Sequence, residues 1–141
     1  MGIKIREIIK WDGNYAIAIL NHGSEEITAK VWDKLRSLKK IKKDQDLLVE
    51  LNYDRLIEIK VITNFNDSES EIVSQKDYFS IKGRVIQLMQ MENDVLIDLY
   101  LQTGPEFISI LKSEIGDLEL EKEQGVEIRV TDLKFYPTNY E

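Results

Sequence analysis

Hydrophobic and polar residues alternate most cleanly between Tyr78 and Pro137. Val95, Ile97, Leu99 and Leu101 are interleaved with Leu96, Asp98, Tyr100 and Gln102, the period of two of a strand buried chiefly on one face. A turn is expected at Gln102-Thr103-Gly104-Pro105. Phe107 to Leu111 then return as a strand, Ser113 to Leu120 form a short non-strand stretch, and Val126, Ile128 and Val130 alternate again with charged or polar neighbours. This half reads as a small antiparallel β-module.

The front of the chain repeats the theme. Ile3 to Lys10 predict a strand ending at Trp11-Asp12-Gly13-Asn14, where Asp-Gly is a strong hairpin signal. Tyr15 to Leu20 return beside it, Asn21-His22-Gly23-Ser24 turn again, and Ile27, Ala29 and Val31 make a third strand. From Asp33 to Ile41 the spacing changes to Leu35, Leu38 and Ile41, which predicts a short helix with Asp33 as its N-cap. Leu47, Val49 and Leu51, then Ile57, Ile59 and Val61, predict strands four and five. Residues 63–77, rich in Asn, Asp, Ser and Glu, hold too little apolar surface to order themselves and read as a linker.

The punctuation of the two halves corresponds. Arg6 answers to Arg84, Asp12-Gly13-Asn14 to Glu92-Asn93-Asp94, Gly23 to Gly104, Glu26-Ile27 to Glu106-Phe107, and Val49 to Ile128, all at nearly one offset. The expected organisation is therefore an internal duplication: module one at 1–62, a linker at 63–77, module two at 78–141.

Five strands with a helix between the third and fourth resemble the OB-fold, a small barrel that removes most sheet edges by closing. In the second half, Ile81-Lys82-Gly83-Arg84-Val85, Phe107-Ile108-Ser109-Ile110, Asp117-Leu118-Glu119-Leu120 and Gly125-Val126-Glu127-Ile128 resemble the Mop and TOBE domains. That resemblance implies a mainly β protein of two tandem OB-like five-stranded barrels, with a short helix in the first. Members of those families bind molybdate or tungstate, or append to transporter ATPases. Where Mop domains carry oxyanion donors this chain has Lys76-Asp77-Tyr78-Phe79, and Glu119 and Glu123 stand at usual glycine positions, so the fold is carried over and the ligand is not.

Charge sharpens this picture. The net charge of −7 opposes indiscriminate binding to nucleic acid or acidic membranes, yet it is uneven. Residues 1–62 hold 12 Lys and Arg against 10 Asp and Glu, and residues 78–141 hold 6 against 12. A mildly basic front and an acidic back make association between copies an expectation. With no cysteine there is no disulfide or thiolate site, and no apolar run has the length of a membrane span. A cytoplasmic protein is expected.

Chemistry is sparse. His22, the single histidine, lies in a turn without a nucleophile or second ligand near it in sequence and reads as an ordinary turn residue. The carboxylates do not group into an acid–base pair or a calcium loop, so no catalytic group, metal or cofactor is expected. One dense basic run remains: Lys30, Lys34, Arg36, Lys39, Lys40, Lys42 and Lys43, with Trp32 inside it. Cations beside an aromatic suit single-stranded nucleic acid, although most of these should lie on the solvent face of the expected helix. Trp11, Tyr15, Tyr53 and Tyr100 are further aromatics that a binding face could use. The reading is a non-enzymatic binding or adaptor protein whose partner is a protein, with Trp32, Lys34, Arg36, Lys39 and Lys40 as partner-binding candidates. Single-stranded nucleic acid through the first module is the first alternative, and oxyanion binding of the di-Mop kind the second.

Overall fold

Strand alternation dominates the structure as it does the sequence. The computed structural model describes residues 2–41 and 45–138. It is mainly β, with two sheets and three short 3-10 turns among the described residues. The first sheet is formed by β1 (Ile3–Asp12), β2 (Tyr15–His22), β3 (Glu25–Trp32), β4 (Val49–Asn52) and β11 (Lys134–Pro137), in the order β1-β2-β3-β11-β4. The second holds β5 (Arg55–Ile62), β6 (Glu71–Ser74), β7 (Phe79–Gln90), β8 (Val95–Leu101), β9 (Glu106–Leu111) and β10 (Gly125–Thr131), in the order β5-β10-β7-β8-β9, with β6 also paired to β7.

The expected hairpins form where the turn chemistry placed them. Gly13 takes a φ of 62°, a left-handed conformation that glycine adopts without strain, and the chain folds back so that Asp12 faces Tyr15. Along β2 every second residue, Ala16, Ala18, Leu20 and His22, is buried. A one-residue slip would exchange that whole set for Tyr15, Ile17, Ile19 and Asn21, so the register is tightly specified. The buried side chains of both sheets join in one continuous core, from Ile3 and Leu20 to Ile97, Ile128 and Phe135. Each fully buried Ile or Leu contributes about 1.5–3 kcal/mol.

Two strands cross between the halves expected from sequence. β5, which follows β4 directly, joins the second sheet beside β10. β11, at the end of the chain, joins the first, parallel to β3 and antiparallel to β4. A bridge between Ile3 and Leu47, with both backbone hydrogen bonds made, links the two margins of the first sheet.

Two local expectations differ. In place of a helix over Asp33–Ile41 there is one 3-10 turn, Ser37–Lys40. Asp33 is buried and accepts from the Ser37 and Leu38 amides and from Trp11 Nε1, so its carboxylate braces a loop. Within 63–77, Glu71–Ser74 form β6 and Ile72 is fully buried. Asn66 and Glu69 close a reciprocal capping box, while Arg84 reaches from β7 to Asp67 (2.6 Å) and to the Phe65 carbonyl (3.0 Å). Arg84 and β7 come from outside the segment and add the order that its own composition could not supply.

Candidate functional site

The outward face of β2, β3 and β11 carries the most distinctive cluster on the protein. Tyr15 opens β2 directly opposite Trp32, the last residue of β3, because the Gly23-Ser24 turn, which sets His22 against Glu25, fixes that register. Tyr136 of β11 completes the group. Trp32 stacks on Tyr136 at 6.0 Å and 28°, and Tyr15 meets both edge-on, at 5.3 Å and 6.1 Å. The Tyr15 and Tyr136 hydroxyls are 2.7 Å apart. Such ring pairs contribute about 0.5–1.5 kcal/mol each beyond the area they bury. Burial, with the bond to Tyr15, pushes the Tyr136 phenol up to about 12, so its hydroxyl stays neutral over the physiological range.

Two ammonium groups, Lys30 and Lys134, each lie 5.9 Å from the centre of the Tyr15 ring. Both are matched by carboxylates. Asp132, held at a φ of 51° just before β11, is 3.1 Å from Lys30 and 3.5 Å from Lys134, and Asp12 stands 3.9 Å from Lys30. The face is thus aromatic at its centre and charge-balanced at its rim.

The structure divides the five candidates drawn from sequence. Trp32 lies within the aromatic cluster. Arg36 sits beyond it in a left-handed conformation, its guanidinium 5.2 Å from the Trp11 ring. Lys34, Lys39 and Lys40 are exposed, and Lys39 borders an open groove of about 310 Å³ lined also by Ile5, Ile8 and Leu38. Lys42 and Lys43 lie outside the described residues. Of the other aromatics, Tyr15 joins the cluster, Trp11 packs against the core, and Tyr100 pairs with Phe107 on the second sheet at 5.3 Å. Tyr53 donates to Glu114 at 2.8 Å beside a groove of about 370 Å³, and burial followed by that carboxylate raises its phenol pKa. Sequence reasoning missed Tyr136, Lys134 and Asp132. A four-residue strand at the end of the chain gives almost no period, and nothing local says that it lies beside Trp32.

His22 is a buried joint between the sheets. Its Nε2 meets Glu106 Oε1 of β9, both side chains are out of solvent, and His22 Nδ1 and Glu106 Oε2 have no other partner. Burial raises the Glu106 pKa against the opposing pull of His22. Among the described residues no three His, Asp or Glu are placed to hold a metal ion, and no helix is long and apolar enough to cross a membrane.

The comparisons with known proteins leave the site to be read from its own chemistry. No family model matches the chain. No curated protein and no solved structure matches it significantly either.

Proposed function

We propose that this protein is a non-enzymatic binding or adaptor module that docks a protein partner on the face of Tyr15, Trp32 and Tyr136. The observation that carries this reading is the pairing of aromatic rings with charges already matched among themselves. Tyr and Trp are enriched at the centres of protein interfaces, where they bury large area at small entropic cost, and a neutralised rim adds no field that would favour a polyanion. A phosphate track needs uncompensated cations, whereas Asp12 and Asp132 offset Lys30 and Lys134.

The location supports the same view. We read the first sheet as an OB-like barrel whose fifth strand is β11, and the second as its relative with β5 in that role, so that the two modules exchange their last strands. The parallel β3–β11 pair, the Ile3–Leu47 bridge and the β5–β10 pair support this assignment. OB-folds bind chiefly on strands two and three, which here carry Tyr15 and Trp32.

A second reading, single-stranded nucleic acid on this face, is favoured by one observation: two ammonium groups over Tyr15 beside a half-exposed Trp32, the arrangement on which a base stacks. One experiment separates the two. Immobilised protein should retain a protein partner, Trp32→Ala should lose it, and Lys39→Glu with Lys40→Glu should keep it. Fluorescence anisotropy with a mixed oligonucleotide should show no binding at physiological salt. Tight binding that falls steeply as salt rises, and that Lys30→Glu with Lys134→Glu abolishes, would replace the first reading with the second.

A further inference from the structure

β5 is the one strand among the described residues in which no side chain is buried, although five of its eight residues are apolar. Ile57 and Val61 are 49% and 41% exposed. β10 pairs with one side of β5 and, among the described residues, no strand pairs with the other, so a row of backbone donors and acceptors is open beside exposed isoleucine and valine. The other margin of the second sheet is unlike it. In β9 alternate residues are buried, and the strand packs near β4.

We propose that β5 is the docking edge for a second copy of this chain, paired antiparallel with its own equivalent about a two-fold axis at Ile59. The sequence Arg55-Leu56-Ile57-Glu58-Ile59-Lys60-Val61-Ile62 is complementary to itself in that register. Ile57 faces Val61 of the other copy, Leu56 faces Ile62, and Ile59 faces Ile59. Glu58 faces Lys60, twice.

Neighbouring registers fail. Centring on Glu58 sets carboxylate against carboxylate, centring on Lys60 sets ammonium against ammonium, and a half-step sets Ile57 against Lys60. Within one chain Glu58 already pairs with Arg129 at 3.3 Å and Lys60 with Glu127 at 3.1 Å. Joining two copies therefore extends each row across four strands as Arg129, Glu58, Lys60, Glu127, with signs alternating throughout.

The contact closes on itself. A two-fold pairing consumes both edges and leaves no template for a third copy. The bulge at Ile57, which β10 leaves without a partner between Glu58 and Leu56, limits the flat ladder to a short span.

Sedimentation velocity on the full chain tests this directly. A dimer that dissociates on dilution is expected, and Lys60→Glu, which sets like charges together at two places, should weaken association by about tenfold or more. Because the chain has no cysteine, the register can be read chemically. Ile57→Cys protein mixed with Val61→Cys protein should oxidise to a covalent dimer, whereas neither alone should, and both positions are exposed enough to spare the fold. A single-chain mass at every concentration up to about 100 micromolar, where even a weak specific dimer forms, would overturn the proposal. So would a dimer indifferent to Lys60→Glu, or one that cross-links through Phe107→Cys on β9 but not through the mixed pair.

Discussion

Two carboxylates are buried among the described residues, and they sit in opposite kinds of surroundings. Asp33, just after β3, receives hydrogen bonds from Trp11 and from the Ser37 and Leu38 amides, all within the first sheet and the loop after it. Glu106, at the start of β9, reaches across to His22 of the other sheet and leaves one oxygen without a partner. A carboxylate with several fixed donors finishes a local structure. One that depends on a single distant partner makes two structures interdependent, and its cost falls on both when the partner is lost.

The largest break in that comparison should come from His22→Ala, which strands Glu106 in the core. It should cost about 3–5 kcal/mol in urea unfolding, whereas His22→Leu combined with Glu106→Leu should recover most of the loss because no unpaired polar atom remains. If the single and double variants are equally unstable, the joint holds by shape rather than by charge.

Asp33→Ala comes next, at about 3 kcal/mol, because it frees one indole and two amide donors in a buried loop. Its effect should stay local: hydrogen exchange should quicken around Ser37 and Leu38 while amides in β8 and β9 keep their protection. Loss of protection in both sheets would erase the contrast with Glu106.

Tyr15→Phe is milder, about 1 kcal/mol, since it removes one hydroxyl contact at the surface. It should also bring the Tyr136 phenol down from about 12, which an ultraviolet titration reads directly. An unchanged titration would mean that burial alone sets the value.

The subtlest effect is on pH dependence. Burial holds Glu106 above its ordinary value of 4.5, so the folded state binds that proton more tightly than the unfolded chain does. The stabilisation is complete below 4.5 and is lost as pH rises through the raised folded value. Glu106→Gln keeps the shape without the titration, so its unfolding midpoint should flatten over that window, whereas Glu127, held low first by its bond from Ser80, acts on the acid side with the opposite slope. A wild-type midpoint that tracks the Gln variant across the window would remove Glu106 as the cause.

Much of the fold was legible in the alternation. The Asp12-Gly13 hairpin, β1 to β3 and β8 to β10 follow from local chemistry, in which a period of two decides the buried face and a turn residue decides where the strand reverses. The expected helix at Asp33–Ile41 failed because its three-residue spacing spans barely two turns, and Asp33 is drawn into the core by Trp11.

What sequence by itself determined about this protein was which stretches become strands and which faces they bury. It also fixed the self-complementary pattern of β5, whose meaning depends on where that strand goes. Tertiary structure decided that β5 and β11 cross between the sheets, that Arg84 and β7 order residues 63–77, and that Tyr136 lies on Trp32 from more than 100 residues away. Strand formation depends on neighbours along the chain, which a sequence displays. Partner choice depends on which edges remain open after the rest has folded, and no local pattern records that.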